Sequence, residues 1–235
     1  MSERADPLEA PLAGQLIGPL FTLVLCWSLG ALLWRLWRWA RTPQPVPIPL
    51  TPAPRTRTGV LGRLAAELFA FRSLFRATRI TWLASIAMHY GLLGIALVHA
   101  RFLMSVLPAW MVPVLQISGW ATLATLAGIV VLAARRLLID RMRWISVPSD
   151  HLHLLLLAAI VLSGTALKRL WPTDLHATGL FLRGALSLDW QPLPAQAGLW
   201  LHLGLVTLLL AVFPISKLVH GLGILFAPTW NTRAR

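Results

Sequence analysis

Four histidines lie inside two long apolar stretches of the chain, His89 and His99 in one and His202 and His220 in the other. The ring nitrogens of a histidine lose their hydrogen bonds to water inside a bilayer and must bind another partner there. A single membrane histidine is most simply explained by a hydrogen bond to a neighbouring helix. Two histidines on each of two helices, however, could hold two metal centres between those helices, one above the other.

The spacing of these histidines agrees with that chemistry. The 18-residue step from His202 to His220 equals five helical turns, and the 10-residue step from His89 to His99 leaves its rings roughly 80° apart on one broad face. We expect the two helices to run in opposite directions, so that His89 faces His220 and His99 faces His202. Rises of ~15 Å and ~27 Å along the two helices would place two irons about 20 Å apart, and Pro214 supplies a bend that accommodates the difference. Ligation by two imidazoles leaves iron no open position, which suits electron transfer through haem b.

The composition of the chain places these helices in a membrane. Hydrophobic residues make up 57% of the 235 residues and charged residues only 12%, with a mean hydropathy of +0.70. Five apolar runs are long enough, or nearly so, to cross a hydrocarbon core of ~30 Å. We expect an all-α integral membrane protein with one domain over residues 1–235. Its five transmembrane helices are predicted at 11–34, 80–102, 112–134, 150–167 and 195–218.

The charge distribution predicts the orientation of the bundle. The net charge is +13, and nine arginines against the single Glu67 lie in the loop 35–79 between the first two spans. Further arginines lie between the third and fourth spans and in the C-terminal tail: Arg135, Arg136, Arg141, Arg143, Arg233 and Arg235. Positive loops stay in the cytoplasm, so we expect the N-terminus outside and the C-terminus inside. Anionic membrane lipid is an expected partner of this face, and nucleic acid is not, because no binding motif accompanies the arginines.

The loop 35–79 divides into two parts. Residues 42–54 are proline-rich and are predicted to be extended. Residues 59–79 combine a broad apolar face with arginines, which predicts a helix in the plane of the membrane. That helix could be a simple anchor or a docking surface for a cytoplasmic subunit. At the N-terminus, acidic residues outnumber the single Arg4, which argues against a cleaved secretory signal.

The remaining polar residues suggest no further chemistry. Cys26 is the single cysteine and no CxxCH motif is present, so covalently attached haem is not expected. Arg101 and Lys217 lie near histidines and could pair with haem propionates or simply reach the interface. His151 and His153 are two residues apart and therefore on different faces of a helix. No carboxylate pair or nucleophile lies in the apolar runs, so we expect no catalytic residue and place bond-making chemistry in other subunits.

One outer-loop histidine and two other functional classes have weaker support in the sequence. His176 follows Asp174 in an outer loop, where a solvated side chain is the simplest interpretation. A proton relay or transporter would use the four histidines without metal, but it would usually bring carboxylates into the helices. A purely structural anchor leaves the histidine spacing unexplained.

The chain resembles a known family in its five helices and in its histidine pairs 10 and 18 residues apart. The pattern is similar to the cytochrome b (gamma) subunit of respiratory nitrate reductase, the NarI-like family. Two segments resemble the DsrM-type cytochrome b of the membrane complex linked to dissimilatory sulfite reductase. They are ELFAFRSLFRATRITWLASIAMHYGLLGIALVHARF at residues 67–102 and FPISKLVHGLGILFAPTWN at residues 213–231.

This resemblance implies a specific set of cofactors and partners. Two b haems are expected, the inner one on His89 and His220 and the outer one on His99 and His202, together with electron exchange with membrane quinone. The implied partners are a cytoplasmic iron–sulfur subunit like that of heterodisulfide reductase, an outer multihaem c-type cytochrome, an outer iron–sulfur protein and a second membrane subunit. The implied location is the bacterial cytoplasmic (inner) membrane, and the implied process is dissimilatory sulfur metabolism. The alternative is the gamma subunit of a nitrate reductase-type respiratory complex.

Overall fold

The computed structural model describes residues 12–43 and 53–227, and these residues form helices and no strands. The α-helices are α1 (Leu12–Arg41), α2 (Arg57–Ala70), α3 (Arg72–Ala77), α4 (Arg79–His99), α5 (Met111–Gln116), α6 (Ser118–Leu138), α7 (Asp140–Ile145), α8 (Pro148–Arg169), α9 (Leu175–Ser187), α10 (Ala197–Val212) and α11 (His220–Gly223). Short 3₁₀ helices occupy Ala100–Leu103, Phe213–Ile215 and Lys217–Val219. The extended segment expected at 42–54 falls mostly outside the described residues, as do the N-terminal segment and the tail arginines.

Five of these helices are long and apolar enough to cross a membrane, which confirms the expected number of spans. They cover Leu16–Arg41, Arg79–Leu103, Ser118–Leu138, Pro148–Arg169 and Ala197–Ile215. At most 28% of the residues in any of these apolar windows are buried inside the chain. Side chains this apolar on a surface this exposed require a hydrocarbon surrounding, so the protein is a multi-pass membrane protein.

The spanning helices pack in the lateral order α4, α6, α8, α10 and α1. The tightest pair is α4 with α6, where glycines allow the two backbones to approach. A Cβ added at Gly91 would lie 2.6 Å from the carbonyl oxygen of Ala121, and one added at Gly128 would lie 2.8 Å from the Cβ of Met88. Small residues at helix crossings are the usual basis of packing in membranes, because lipid supplies no hydrophobic force between helices.

Three local features differ from the sequence-based expectations. The single helix expected over 59–79 is two helices, because Phe71 adopts a left-handed backbone with a φ of 48° between α2 and α3. The third span begins later than expected, after a break at Ile117 between α5 and α6. The amphipathic helix α9 was not predicted at all.

The fifth span is interrupted at the expected residue. Helix α10 ends at Val212, and Phe213 begins a segment of two 3₁₀ turns, the first of which contains Pro214, that leads to His220 at the start of α11. Proline removes a backbone donor and its ring crowds the preceding turn, which ends the regular helix there. The last histidine therefore lies on a separate short element rather than on a continuous helix.

Candidate functional site

The histidines of the two apolar stretches lie in two pairs between α4 and the α10–α11 segment. The ring centres of His89 and His220 are 5.9 Å apart, with their planes 81° apart. Those of His99 and His202 are 6.2 Å apart, with their planes 25° apart. These are the two pairings that the helix directions predict.

The first pair lies at the end of the spans that carries Arg35, Arg38 and Arg41, which we call the arginine-rich end. Phe71, at the corner between α2 and α3, packs its ring edge-on against His89 at 5.1 Å. Two side chains of α4 hold this corner in place: Tyr90 donates its hydroxyl to the Phe69 carbonyl and Trp82 donates its indole N–H to the Ala70 carbonyl, each at 2.8 Å. The unusual backbone of Phe71 therefore places an aromatic wall beside the first pair.

Each of the four rings has its Nδ1 engaged in a hydrogen bond. In the first pair, His89 Nδ1 lies 2.8 Å from the Ser85 carbonyl oxygen and His220 Nδ1 lies 3.0 Å from that of Lys217. Carbonyl oxygens only accept hydrogen bonds, so Nδ1 carries the proton in both rings and Nε2 keeps its lone pair. His99 follows the same rule, with Nδ1 2.7 Å from the Ile95 carbonyl oxygen.

His202 is held differently, by a side chain of another helix. Its Nδ1 lies 2.9 Å from the hydroxyl oxygen of Ser163 on α8. The Ser163 hydroxyl also lies 3.0 Å from the Ile160 carbonyl oxygen and donates its proton there. The Ser163 oxygen is then free to accept from the Nδ1–H of His202, which again leaves Nε2 as the available nitrogen. Gly164 makes room for the ring, because a Cβ there would lie 3.0 Å from its Cε1 atom.

The donor set and its spacing fit two metals ligated by paired imidazoles. A metal–nitrogen bond of about 2.0 Å, with about 1 Å more from nitrogen to ring centre, places two imidazole centres about 6 Å apart across one metal. Both observed separations agree with this value. Among the described residues no group of three or more His, Cys, Asp or Glu side chains could hold a metal, so a centre here would take its remaining ligands from a macrocycle.

The histidine pairs link two helices whose main packing partners lie elsewhere. Helix α10 packs chiefly on α8 and α1, and α4 chiefly on α6. The ring pairs connect α4 with α10 and α11. A flat macrocycle held by these rings would therefore lie between α4 and the α10–α11 segment.

The segment that carries His220 is fixed by charged residues from three helices. Arg35 of α1 donates to the carbonyl oxygens of Pro214 and Ser216, both at 2.7 Å. Lys217 pairs with Asp150 at the start of α8 at 3.1 Å, and Asp150 lies 3.5 Å from Arg136 of α6. The carbonyls released by the break in α10 thus find donors, as backbone groups within a membrane protein must.

The other polar residues singled out in the sequence lie outside the two histidine pairs. Arg101 covers the ring of Phe102 at 4.7 Å, and its buried Nε has no hydrogen-bond partner within the described part of the chain. Lys217 is engaged by Asp150, as above. His151 and His153 lie in the first turns of α8 and His176 in the first turn of α9, and no metal-binding group of three includes them where the structure is described.

Two residues that position the site were not found from the sequence. Ser163 lies in an apolar span with no distinguishing neighbours, so only the packing of α8 on α10 reveals its contact with His202. Arg183 on α9 donates to the carbonyl oxygens of Phe102 at 3.0 Å and Met104 at 3.3 Å, and thereby holds the turn that follows His99. The helix that contains Arg183 was itself not predicted, which concealed this role.

Two archaeal proteins are similar to this chain. It is 32% identical to the Hdr-like menaquinol oxidoreductase cytochrome b-like subunit of Archaeoglobus fulgidus, over an alignment of 200 residues that covers 72% of this chain and 59% of that protein. It is 31% identical to the subunit of the same name from Archaeoglobus profundus over 197 residues, with the same two shares. The chain therefore spans about 59% of the length of the curated relatives it matches. No protein-family model matches the chain. The similarity supports a family of membrane cytochrome b subunits.

Proposed function

We propose that this chain is a di-haem cytochrome b that transfers electrons between membrane quinone and a soluble iron–sulfur partner. The observation that carries the proposal is the pairing of four imidazoles between α4 and the α10–α11 segment, each pair at the separation that a shared metal requires. The names of both archaeal relatives, a cytochrome b-like subunit of a menaquinol oxidoreductase, support the same chemistry.

The two centres would lie at opposite ends of the bundle. His89 and His220 would hold the haem at the arginine-rich end, and His99 and His202 the haem at the other end. Haem supplies reversible one-electron transfer when it is bound with two axial imidazoles. The residues of this chain present neutral Nε2 atoms, since each Nδ1–H is donated to a protein oxygen.

Arg101 is the residue best suited to pair with a propionate of the second centre. Its buried Nε is unpartnered in the described part of the chain and lies close to His99 in the sequence. A buried guanidinium N–H without a hydrogen bond is costly, so an anionic partner would stabilise it.

The charge pattern and the names of the relatives support the proposed partners and location. We place the arginine-rich end in the cytoplasm, where the two amphipathic helices α2 and α3 would receive an iron–sulfur subunit resembling that of heterodisulfide reductase. The protein would thus lie in the cytoplasmic membrane of a DsrM-type complex that serves sulfur metabolism. The word "Hdr-like" in the names of the relatives favours this complex over a nitrate reductase-type one.

The test is a reduced-minus-oxidised optical spectrum of the purified chain, with haem quantified per polypeptide. We expect two low-spin b haems in the unaltered protein and one in His99→Ala. His176→Ala is the matched control, because it removes an exposed histidine that lies outside both pairs, and it should retain both haems. A folded, haem-free protein made with ample haem would contradict the proposal and favour a metal-free proton relay.

A further inference from the structure

A cleft runs along one face of α1 at the arginine-rich end of the bundle. Its volume is about 750 Å³, and its second wall is the Pro214–Ile215 turn that follows α10. The α1 side is lined by two adjacent rows of residues, each with a step of four positions: Cys26, Gly30, Trp34, Arg38 and Thr42 in one, and Trp27, Ala31, Arg35 and Trp39 in the other. These residues form one continuous stripe because of the helical repeat.

The cleft has the length of one membrane leaflet. Twelve residues separate Cys26, near the middle of the span, from Arg38 near its end, a rise of about 18 Å along the helix. Half of a hydrocarbon core is about 15 Å. The deep part of the cleft is apolar, and its polar groups lie at the end that would meet the lipid headgroups.

The polar end of the cleft carries positive charge with no counter-charge. Arg35 donates to backbone carbonyls through one nitrogen and covers the ring of Trp39 at 4.9 Å. The guanidinium of Arg38 has no partner among residues 12–43 and 53–227, and no carboxylate lines the cleft. Charge complementarity therefore calls for an anion at this position.

Gly30 gives the cleft its depth. A Cβ added at Gly30 would meet no atom within 4 Å, so no close helix crossing requires glycine there. Glycine within a helix costs stability relative to alanine, and at this position it leaves open space beside Trp34 instead.

We propose that this cleft binds one anionic phospholipid, with its phosphate on Arg38 and one acyl chain lying over Gly30. The apolar depth, the leaflet length and the unpaired guanidinium together match this ligand. Because Arg35 also holds the turn that leads to His220, a bound lipid would brace the segment that positions this histidine. The lipid site itself does not depend on whether the histidines hold haem.

The test is native mass spectrometry of the full-length chain titrated with phosphatidylglycerol or phosphatidylcholine. We expect one preferential phosphatidylglycerol adduct in the unaltered protein and about fivefold weaker binding in Arg38→Gln. Arg141→Gln is the matched control, since it removes another arginine of the same end that has no partner in the described part of the chain and does not line the cleft. This variant should bind as the unaltered protein does. Equal binding of both lipids, or an unchanged adduct in Arg38→Gln, would overturn the proposal.

Filling the cleft with a bulky side chain provides an independent test. Gly30→Phe should displace the acyl chain and abolish the adduct, whereas Gly119→Phe, at another open helical position, should retain it. Phosphatidylglycerol with a photoreactive acyl chain should label residues 26–34 in the unaltered protein. Labelling of other spans with none on α1, or displacement of a co-purified quinone by Gly30→Phe, would refute lipid as the occupant.

Discussion

The hydroxyl of Ser163 provides the sharpest perturbation of a single proposed centre. It accepts the Nδ1–H of His202 at 2.9 Å, so Ser163→Ala leaves that N–H without its partner inside the span. The hydrogen bond makes the imidazole more basic, and a more basic ligand favours oxidised iron. We therefore expect Ser163→Ala to raise the midpoint potential of the haem proposed at His99 and His202.

The expected shift can be bounded from the energy of the bond. A typical protein hydrogen bond contributes about 1 kcal/mol, and for a one-electron couple 59 mV corresponds to a tenfold change in equilibrium. Loss of the whole bond energy from one redox state would thus shift the potential by ~40 mV. The hydrogen bond is present with both oxidised and reduced iron and is only stronger with oxidised iron. The potential should therefore shift by about 10–40 mV.

The assay is an optical redox titration of the purified protein that resolves both haems. Thr165→Val is the matched control, because the Thr165 hydroxyl is two residues away on the same helix and donates at 2.7 Å to the Val161 carbonyl of its own helix. Its two potentials should equal those of the unaltered protein. An unchanged potential in Ser163→Ala, or an equal shift in Thr165→Val, would refute the role assigned to this hydroxyl.

Two further variants test the packing and the anchoring of the site. Gly91→Ala should lower stability by about 1–3 kcal/mol, because its Cβ would overlap α6. Gly119→Ala faces open space and should leave stability unchanged or higher. Thermal unfolding in detergent compares the two variants. Arg35→Gln should lower the stability of the folded protein by about 2 kcal/mol, because it removes charged hydrogen bonds to the turn before His220. Haem quantification should then find one of the two proposed centres depleted in Arg35→Gln, whereas Arg141→Gln should retain both. Equal melting of the two glycine variants, or full haem content in Arg35→Gln, would contradict these expectations.

The spans and the histidine pairs could be predicted from the sequence because both follow from regular geometry. A run of apolar residues fixes a span by its length, and the 10-residue step from His89 to His99 fixes a broad face of the continuous helix α4. The 18-residue step to His220 crosses the break after Val212, so its five regular turns are not what the structure contains. The helix directions then determine which histidines meet. The structure brings His89 to His220 and His99 to His202 on this basis, while their role as haem ligands stays a prediction.

The interruptions of the helices were harder to predict because they depend on tertiary contacts. Pro214 by itself predicts a break, because proline cannot continue a regular helix without a steric clash. Phe71 carries no such signal, since an aromatic residue rarely adopts a left-handed backbone, and its conformation is held by Trp82 and Tyr90 through the neighbouring carbonyls. The break at Phe71 thus depends on α4, which lies later in the chain.

The hydrogen bonds of the four Nδ1 atoms show the same distinction between features encoded locally and features that depend on tertiary contacts. His89 and His99 donate to the carbonyl four residues earlier, which any regular helix offers, and His220 uses a carbonyl that the 3₁₀ turn places nearby. His202 instead turns toward α8 and depends on Ser163. The orientation of three rings is therefore encoded locally, whereas that of the fourth requires α8 and α10 to be packed first. A defect in that packing should consequently disturb the orientation of the His202 ring directly, whereas it reaches His220 only through the ion pair of Lys217 with Asp150.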